Sequence, residues 1–373
     1  MSVFDFFESF SFEGQKDTAE LGFPSSFPFP LALQLKDGPK PSLEEVVEAV
    51  TAISKSGELF DLVQQHGGAL LIRGLPIHTA ADYSAVAHAF GLTAHEEIGR
   101  PPNRTILAKN VKTANEGPPE MPIWPHNEYG WSTINPAWLT FSGFVTPESG
   151  GETPINSSIA LAAAIQKQAP DFYEALLKNG VQYIYRYRQV AREYLEGRNG
   201  LIDLTVPKQL PLQTLATALS GHMARRFYQL TMLSLGAKRL KEKSKNIVVG
   251  GNGMTMEATG LTTFFGNLTS AYGRSKHHGA TEPPFLGDDG GYHPLPTYGD
   301  GSPIPTKYLE LALSIAETSQ VLIKWTPGDL ILLDNYAVMH SRRPWTGERK
   351  VLAALWDEEG RIGDFEEGKV MWA

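Results

Sequence analysis

The sequence predicts one mixed α+β domain built around an antiparallel barrel or sandwich, with helices flanking it and inserted into it. Three observations carry that prediction. Short apolar runs closed by Gly, Pro or Asn recur between residues 68 and 356 and read as strands. Helical periodicity occurs in separate stretches, without the regular βαβ alternation of a parallel sheet. The 373 residues contain no internal repeat and no linker that would divide them into two bodies.

The elements follow in order. Residues 1–40, rich in Phe, Pro and Ser (Phe23 to Pro30), read as an extended arm laid over the body. Ser42 and Glu45 form a capping-box signature, and apolar residues then recur at helical spacing to about Gln65. Gly68 to Gly74 is a short buried strand, and a helix covers about Ala80–Phe90 after Thr79. Trp138–Val145 reads as a strand, Pro147–Gly151 as a turn and Glu152–Ile155 as another strand. Ser158–Ala163 and Pro170–Leu177 look helical, and Val181–Arg188 alternates with the period of a strand.

Beyond this point the pattern weakens. Residues 189–260 carry a helical stretch at about Gln213–Leu235 and a solvated Lys-rich segment, Lys238–Lys245. Gly273–Asp300 lacks periodicity and reads as a long loop or lid, so an insertion is expected over about 189–300 of the domain 41–373. Tyr308–Thr318 is an amphipathic helix, followed by strands at Ser319–Trp325, Asp329–Asp334 and Lys350–Trp356.

Composition excludes several classes. The net charge of −8 is spread along the chain without a basic tract, which argues against nucleic acid or an anionic membrane as main partner. With no cysteine, disulfides, zinc–thiolate sites and thiol nucleophiles are impossible. Met1–Glu8 is aromatic and acidic and does not read as a signal peptide. No apolar run approaches the roughly 18–20 residues of a membrane span, so a soluble, cytoplasmic protein is expected. A homo-oligomer stays open.

His126, Glu128 and His340 are the candidate metal ligands. In Trp-Pro-His126-Asn-Glu128-Tyr, a strand would point His126 and Glu128 to one face. His340 follows the apolar run ending at Asp334-Asn335 and would converge from a second strand. Two imidazoles and a carboxylate form the three-ligand face of a non-haem Fe(II) oxygenase, and the same set also suits catalytic zinc. A lone His is more often a hydrogen-bonded core or surface residue. His66, His78, His88, His95, His222 and His293 are read that way, and the His277-His278 pair as solvated or part of a lid, with no carboxylate at matching spacing.

These residues and their flanks resemble the taurine/2,4-D dioxygenase (TauD/TfdA-like) family. The resemblance rests on Trp-Pro-His126-Asn-Glu128-Tyr, Phe-Val-Thr-Pro147 and Gly150-Gly-Glu-Thr153-Pro-Ile155. It extends to Trp325-Thr-Pro-Gly-Asp through Asn335, to His340-Ser-Arg342-Arg-Pro-Trp-Thr-Gly-Glu-Arg349, and to Tyr298-Gly-Asp-Gly-Ser-Pro-Ile304. The match runs from about Gly67 to Trp356 and looks most like the syringomycin-type amino-acid hydroxylase branch.

The resemblance implies a double-stranded β-helix (jelly-roll, cupin-like) core with flanking helices and a helical insertion. It implies Fe(II), 2-oxoglutarate and O2, with His126, Glu128 and His340 on the metal. Arg349 would hold the distal carboxylate of 2-oxoglutarate, assisted by the Thr153 hydroxyl; a guanidinium meets a carboxylate bidentately, as Lys does not. The implied reaction oxidises an unactivated C–H of an amino-acid-like or carboxylate metabolite, free or carrier-tethered, in secondary metabolism. Halogenating relatives lack the carboxylate ligand, so Glu128 points to hydroxylation, desaturation or oxidative cyclisation such as aziridine formation.

Arg342 and Arg343 are candidates for a substrate carboxylate, and Trp124, Tyr129, Trp131, Phe264, Trp345, Asn115 and Asn267 for a pocket lining. Ser341 and Trp345 depart from the usual Gly and Phe, and Asn156-Ser157-Ser158 replaces a run that often carries Asp; all bear on substrate rather than reaction. Two other classes compete. A zinc hydrolase on the same ligands has no use for Arg349 or the Gly-Gly-x-Thr strand, and a catalytically inactive small-molecule-binding barrel would not need the full set.

Overall fold

A computed structural model describes residues 1–97, 104–114, 117–132, 135–183, 254–255 and 261–358. The described residues up to Gln182 and from 254 to 358 belong to one compact unit. The helix expected at 213–235, the Lys-rich segment 238–245, His222 and most of Val181–Arg188 lie outside the described residues.

The strands that matter are β1 (Phe7–Ser9), β2 (Leu31–Leu35), β3 (Ala69–Arg73), β4 (Ile106–Ala108), β5 (Val111–Thr113) and β6 (Ile123–His126). They continue with β7 (Trp138–Val145), β8 (Thr153–Ser157), β9 (Val321–Ile323), β10 (Leu330–Asp334), β11 (Val338–Arg342) and β12 (Lys350–Asp357). The large sheet runs β1-β2-β3-β10-β7-β12-β5-β4, and a four-stranded sheet runs β9-β8-β11-β6. All these pairings are antiparallel except β2 with β3.

Apolar residues of both sheets belong to one buried cluster: Leu70, Phe141 and Ile331 from the large sheet, Ile155, Ile323 and Val338 from the small one. This is the jelly-roll arrangement, one core closed between two sheets. Strand β10 is buried at every position, which explains its unbroken Leu-Ile-Leu-Leu run.

Helices α1 (Leu43–Lys55), α2 (Glu58–Gln65) and α3 (Ala80–Ala89) add Val46, Val50, Ile53, Val63 and Val86 to the same cluster. The capping box forms as read, with Ser42 N donating to Glu45 Oε2 (2.7 Å) and Glu45 N to Ser42 Oγ (3.2 Å). The single helix expected to Gln65 is instead two, because Gly57 takes a left-handed φ of 81° between them. Helices α4 (Ser158–Gln168) and α5 (Pro170–Asn179) start where expected but run longer.

Two expectations change. Residues 1–40 are not only an extended arm: β1 and β2 extend the large sheet, and Val3, Phe7, Phe29 and Leu33 are buried in its core. Part of the aromatic and apolar content read as an arm laid over the body is therefore core, while Phe4 stays exposed. The stretch from Gly273 is helical at its start, within α6 (Leu268–His277), and only then becomes loop, before α7 (Thr306–Thr318).

Thr140 on β7 shows how the core tolerates polarity. Fully buried, its Oγ1 accepts from Tyr83 Oη of α3 (2.8 Å) and from Trp356 Nε1 of β12 (3.0 Å). Thr140→Val is nearly isosteric but strands both donors. At about 1–3 kcal/mol per unsatisfied buried group, urea unfolding should show a loss of about 2–4 kcal/mol.

Candidate active site

The four-stranded sheet brings the predicted ligands together. His126 ends β6 and lies opposite His340 of β11 in the register, so both rings project from one sheet face. Their centroids are 4.4 Å apart. His126 Nδ1 sits 2.9 Å from Trp124 O, which directs Nε2 inward. Phe141 of the large sheet lies against the His340 ring at 5.1 Å, so the site opens between the two sheets.

Glu128 arrives differently from the strand alternation expected. It lies beyond the end of β6, in the turn Asn127–Gly130. The turn is clamped by Asn335, which follows β10: its Oδ1 accepts from Glu128 N (2.7 Å) and its Nδ2 donates to Glu128 O (2.9 Å) and Pro136 O (2.8 Å). Asn127 secures the other side, with Nδ2 on Asn335 O (2.7 Å) and Oδ1 accepting from Gly266 N (2.9 Å). Tyr129 adopts a φ of 55°, and a Cβ on Gly130 would stand 2.8 Å from the Gly266 backbone. Such a turn persists only where its surroundings over-determine it.

In consequence Glu128 Oε2 stands 3.6 Å from His126 Nε2 and 3.4 Å from His340 Nε2. The three ligand atoms lie within 4.8 Å of one another. Two nitrogens and a carboxylate oxygen converging on one point fit an Fe(II) site with open positions.

The electrostatics suit a cation. Burial works to raise the Glu128 pKa, but Arg104, His126 and His340 outweigh it and hold the carboxyl well below its usual range. Burial first, then the neighbouring His126, brings His340 down to about 4, so its ring is neutral at neutral pH, as a metal ligand must be. Arg104 Nη2 binds Glu128 Oε1 at 2.6 Å, leaving Oε2 to face the imidazoles. Arg104 also reaches Glu97 (3.4 Å), which pairs with Lys112 and accepts from Tyr129 Oη (2.9 Å).

Thr153 and Arg349 also meet. Arg349 Nη2 is 3.3 Å from Thr153 Oγ1, and its Nε donates to Gly151 O (2.7 Å). Trp325 Nε1 fixes the same hydroxyl at 2.9 Å. Ile155 pairs with His340, so Thr153, two positions along β8, faces the same side about 7 Å further on at the usual strand rise. Burial, then Arg342, lowers the Arg349 pKa to about 10, still a cation at neutral pH.

The substrate candidates scatter. Arg342 is buried, and its Nη2 is committed to Pro118 O (3.1 Å) and Met121 O (2.8 Å). It holds the segment before β6 rather than standing free for a substrate. Arg343 is exposed past the end of β11, and Trp345 lies against the guanidinium groups of Arg342 (4.5 Å) and Arg349 (5.4 Å). Tyr129 is buried, and its ring lies tilted beside that of half-buried Trp131 at 5.5 Å. Asn115 lies outside the described residues.

Sequence reasoning missed Arg104, Glu97, Asn127 and Asn335. Asn335 carried a readable signal, since it sits inside the C-terminal block, but it reads there as a strand end. Arg104 carried none, being a lone Arg after Pro101-Pro-Asn.

The model of the taurine catabolism dioxygenase TauD, TfdA family matches residues 41–230 and 275–356. The chain belongs to the TauD/TfdA dioxygenase family. It is therefore an Fe(II)- and 2-oxoglutarate-dependent dioxygenase that uses O2. A clavaminate synthase-like protein of Arabidopsis thaliana is similar to this TauD-family chain, 28% identical over 343 residues that span 88% of the chain and 94% of the relative. The dapdiamide synthesis protein DdaC of Enterobacter agglomerans is 23% identical, over 84% and 90% of the two chains. Among solved structures, an asparagine oxygenase in complex with Fe(II), 2S,3S-3-hydroxyasparagine and succinate matches with a TM-score of 0.50 at 9% identity. It covers 87% of this chain and 93% of its own, and at that identity the likeness shows the fold. No helix of the described residues is long and apolar enough to cross a membrane.

Proposed function

We propose that this dioxygenase oxidises an unactivated C–H bond of an amino-acid-like metabolite, with His126, Glu128 and His340 as iron ligands and Arg349 with Thr153 as the 2-oxoglutarate clamp. One observation supports the reading above all. His126, His340 and Thr153 share one face of the four-stranded sheet; the turn after β6 brings Glu128 to the two imidazoles and Arg349 meets Thr153, as a chelating end and a carboxylate-binding end should be arranged. The names of the relatives, a clavaminate synthase-like protein and a dapdiamide synthesis protein, favour an amino-acid-derived substrate in secondary metabolism.

Bound iron with 2-oxoglutarate supplies the oxidising power. The protein's share is positioning. His126 and His340 offer their Nε2 atoms, and Glu128 offers one oxygen. Phe141 and the buried Tyr129 keep the surroundings dry. A zinc hydrolase would leave the Thr153–Arg349 pair without a task.

Arg104 supports the ligand set as a positioning residue. By occupying Glu128 Oε1 it restricts the carboxylate to one-oxygen ligation. Arg104→Met should weaken Fe(II) binding about 10- to 100-fold, the usual effect of removing a group that orients a ligand. Anaerobic titration calorimetry measures it, and unchanged affinity would assign Arg104 to the fold alone.

Succinate release with Fe(II), ascorbate and 2-oxoglutarate, across a panel of free and carrier-bound amino acids, tests the whole reading. A product 16 mass units heavier identifies hydroxylation, and one 2 units lighter desaturation or ring closure. Zinc-dependent hydrolysis without succinate would sink it.

A further inference from the structure

We propose a second divalent-cation site, remote in sequence from the first, in which His278 Nε2, His293 Nε2 and an Asp289 carboxylate oxygen bind a borderline metal such as Zn(II). The His277-His278 pair shows no carboxylate at matching spacing in the sequence. The fold supplies one. His278 caps α6, and the following loop returns through Gly287-Asp288-Asp289-Gly290-Gly291 to lay His293 flat on His278, with ring centroids 4.5 Å apart and planes at 6°.

Asp289 stands at the edge of both rings. Its Oδ1 and Oδ2 are 2.9 and 3.0 Å from His293 Nε2, and its Oδ2 is 3.8 Å from His278 Nε2. All three ligand atoms lie within 4.8 Å of one another. Asp288 takes the other ring nitrogen of His278, Nδ1, at 2.7 Å. That carboxylate–imidazole contact fixes the tautomer and aims Nε2 at the cluster, as in metal-bound histidines generally.

The loop backbone is cut to the cluster. A Cβ at Gly287 would come within 2.7 Å of Asp289 Oδ1 and His278 Cβ, and one at Gly291 within 2.7 Å of His293 Nε2. Asp288 N donates to His278 O (3.1 Å) and Gly291 N to Asp289 Oδ1 (2.8 Å), while Ser275 Oγ holds His293 O (3.0 Å). The histidine side chains are 8% and 14% exposed and Asp289 42%, so the cluster is walled on the ring side and open to water on the other. Hydrogen bonds pair His278 with Asp288 and His293 with Asp289; the cation is inferred from the further approach of His278 Nε2, whose other ring nitrogen Asp288 already holds, to within 3.8 Å of Asp289. The N2O donor set with room for water suits Zn(II), Co(II) or Ni(II) better than Ca(II) or Mg(II), which prefer oxygen throughout.

A cation there would pin the end of α6 to its loop. His277 of that helix lies against Trp124 at 5.4 Å, and Trp124 O orients His126. The site therefore acts as a structural clip on the wall behind β6.

Co(II) equivalents on the full chain test it, counted by equilibrium dialysis with elemental analysis. Wild type should bind two. Asp289→Asn keeps the loop's shape and should weaken the second equivalent at least tenfold, with the melting temperature in EDTA unchanged. His278→Ala/His293→Ala should bind one, and His126→Ala/His340→Ala should retain one. In that last variant Zn(II) should raise the melting temperature, and adding Asp289→Asn should abolish the rise. A single equivalent on wild type, or two on Asp289→Asn with unchanged affinity, overturns the site and leaves a metal-free clasp.

Discussion

His340→Ala is expected to lose tight Fe(II) binding and to lower succinate formation by about 10³-fold or more. The magnitude follows from what the metal contributes. A Lewis-acidic ion is worth several kcal/mol of transition-state stabilisation, and each decade of rate corresponds to about 1.4 kcal/mol. His340 cannot be replaced from its surroundings. Its ring is buried against Phe141, and its Nε2 is the donor through which β11 joins the β6 end of the site. Alanine leaves His126 and Glu128 as two donors, too few to fix the metal's geometry. The fold should survive, because β11 keeps its pairing with β8 through Ile155, Asn156 and Ser157. Far-UV circular dichroism checks that, and anaerobic Fe(II) calorimetry reads the binding. A folded variant with wild-type Fe(II) affinity and succinate release would remove His340 from the ligand set.

Much of this was legible in the sequence because strands and helices announce themselves through period and caps. Trp138–Val145 appears as read, and the Ser42–Glu45 box forms with both hydrogen bonds. The candidate ligands stood out for a chemical reason, since two imidazoles and a carboxylate make up a three-ligand metal face. The turn was not. Glu128 looked like a strand residue because His-x-Glu has period two, yet a turn clamped by Asn335 and Asn127 does the aiming. Long-range side-chain hydrogen bonds leave no periodicity behind. The same holds for Arg104, whose role depends on where Glu97 and Glu128 end up, and for His293, which meets His278 only after a glycine-built return. Residues 1–40 misled in the opposite direction: Phe, Pro and Ser suggested an extended arm laid over the body, while Phe7, Phe29 and Leu33 belong to the core.

Arg349→Met should raise the KM for 2-oxoglutarate by roughly 30- to 1000-fold, with Arg349→Lys recovering only part of it. The guanidinium is already anchored along one edge, Nε on Gly151 O and Nη2 on Thr153 Oγ1, which pre-orients the remaining N–H groups at little entropic cost. Removing one partner of a buried, hydrogen-bonded charge pair costs about 2–5 kcal/mol, and the lower part of that range gives the stated factor. Burial lowers the Arg349 pKa to about 10, which leaves it protonated at the pH of the assay, so the loss is one of a full charge. Lysine restores a point charge but not the planar fork, and it cannot keep both the Gly151 and Thr153 contacts. Thr153→Val should cost less, about tenfold, since it removes a neutral hydroxyl that Trp325 also uses. The discriminating measurement is the KM of each co-substrate separately. If Arg349→Met left the KM for 2-oxoglutarate unchanged and raised that of the amino-acid substrate, Arg349 would be the substrate's carboxylate partner, and the clamp would have to be sought elsewhere on the sheet.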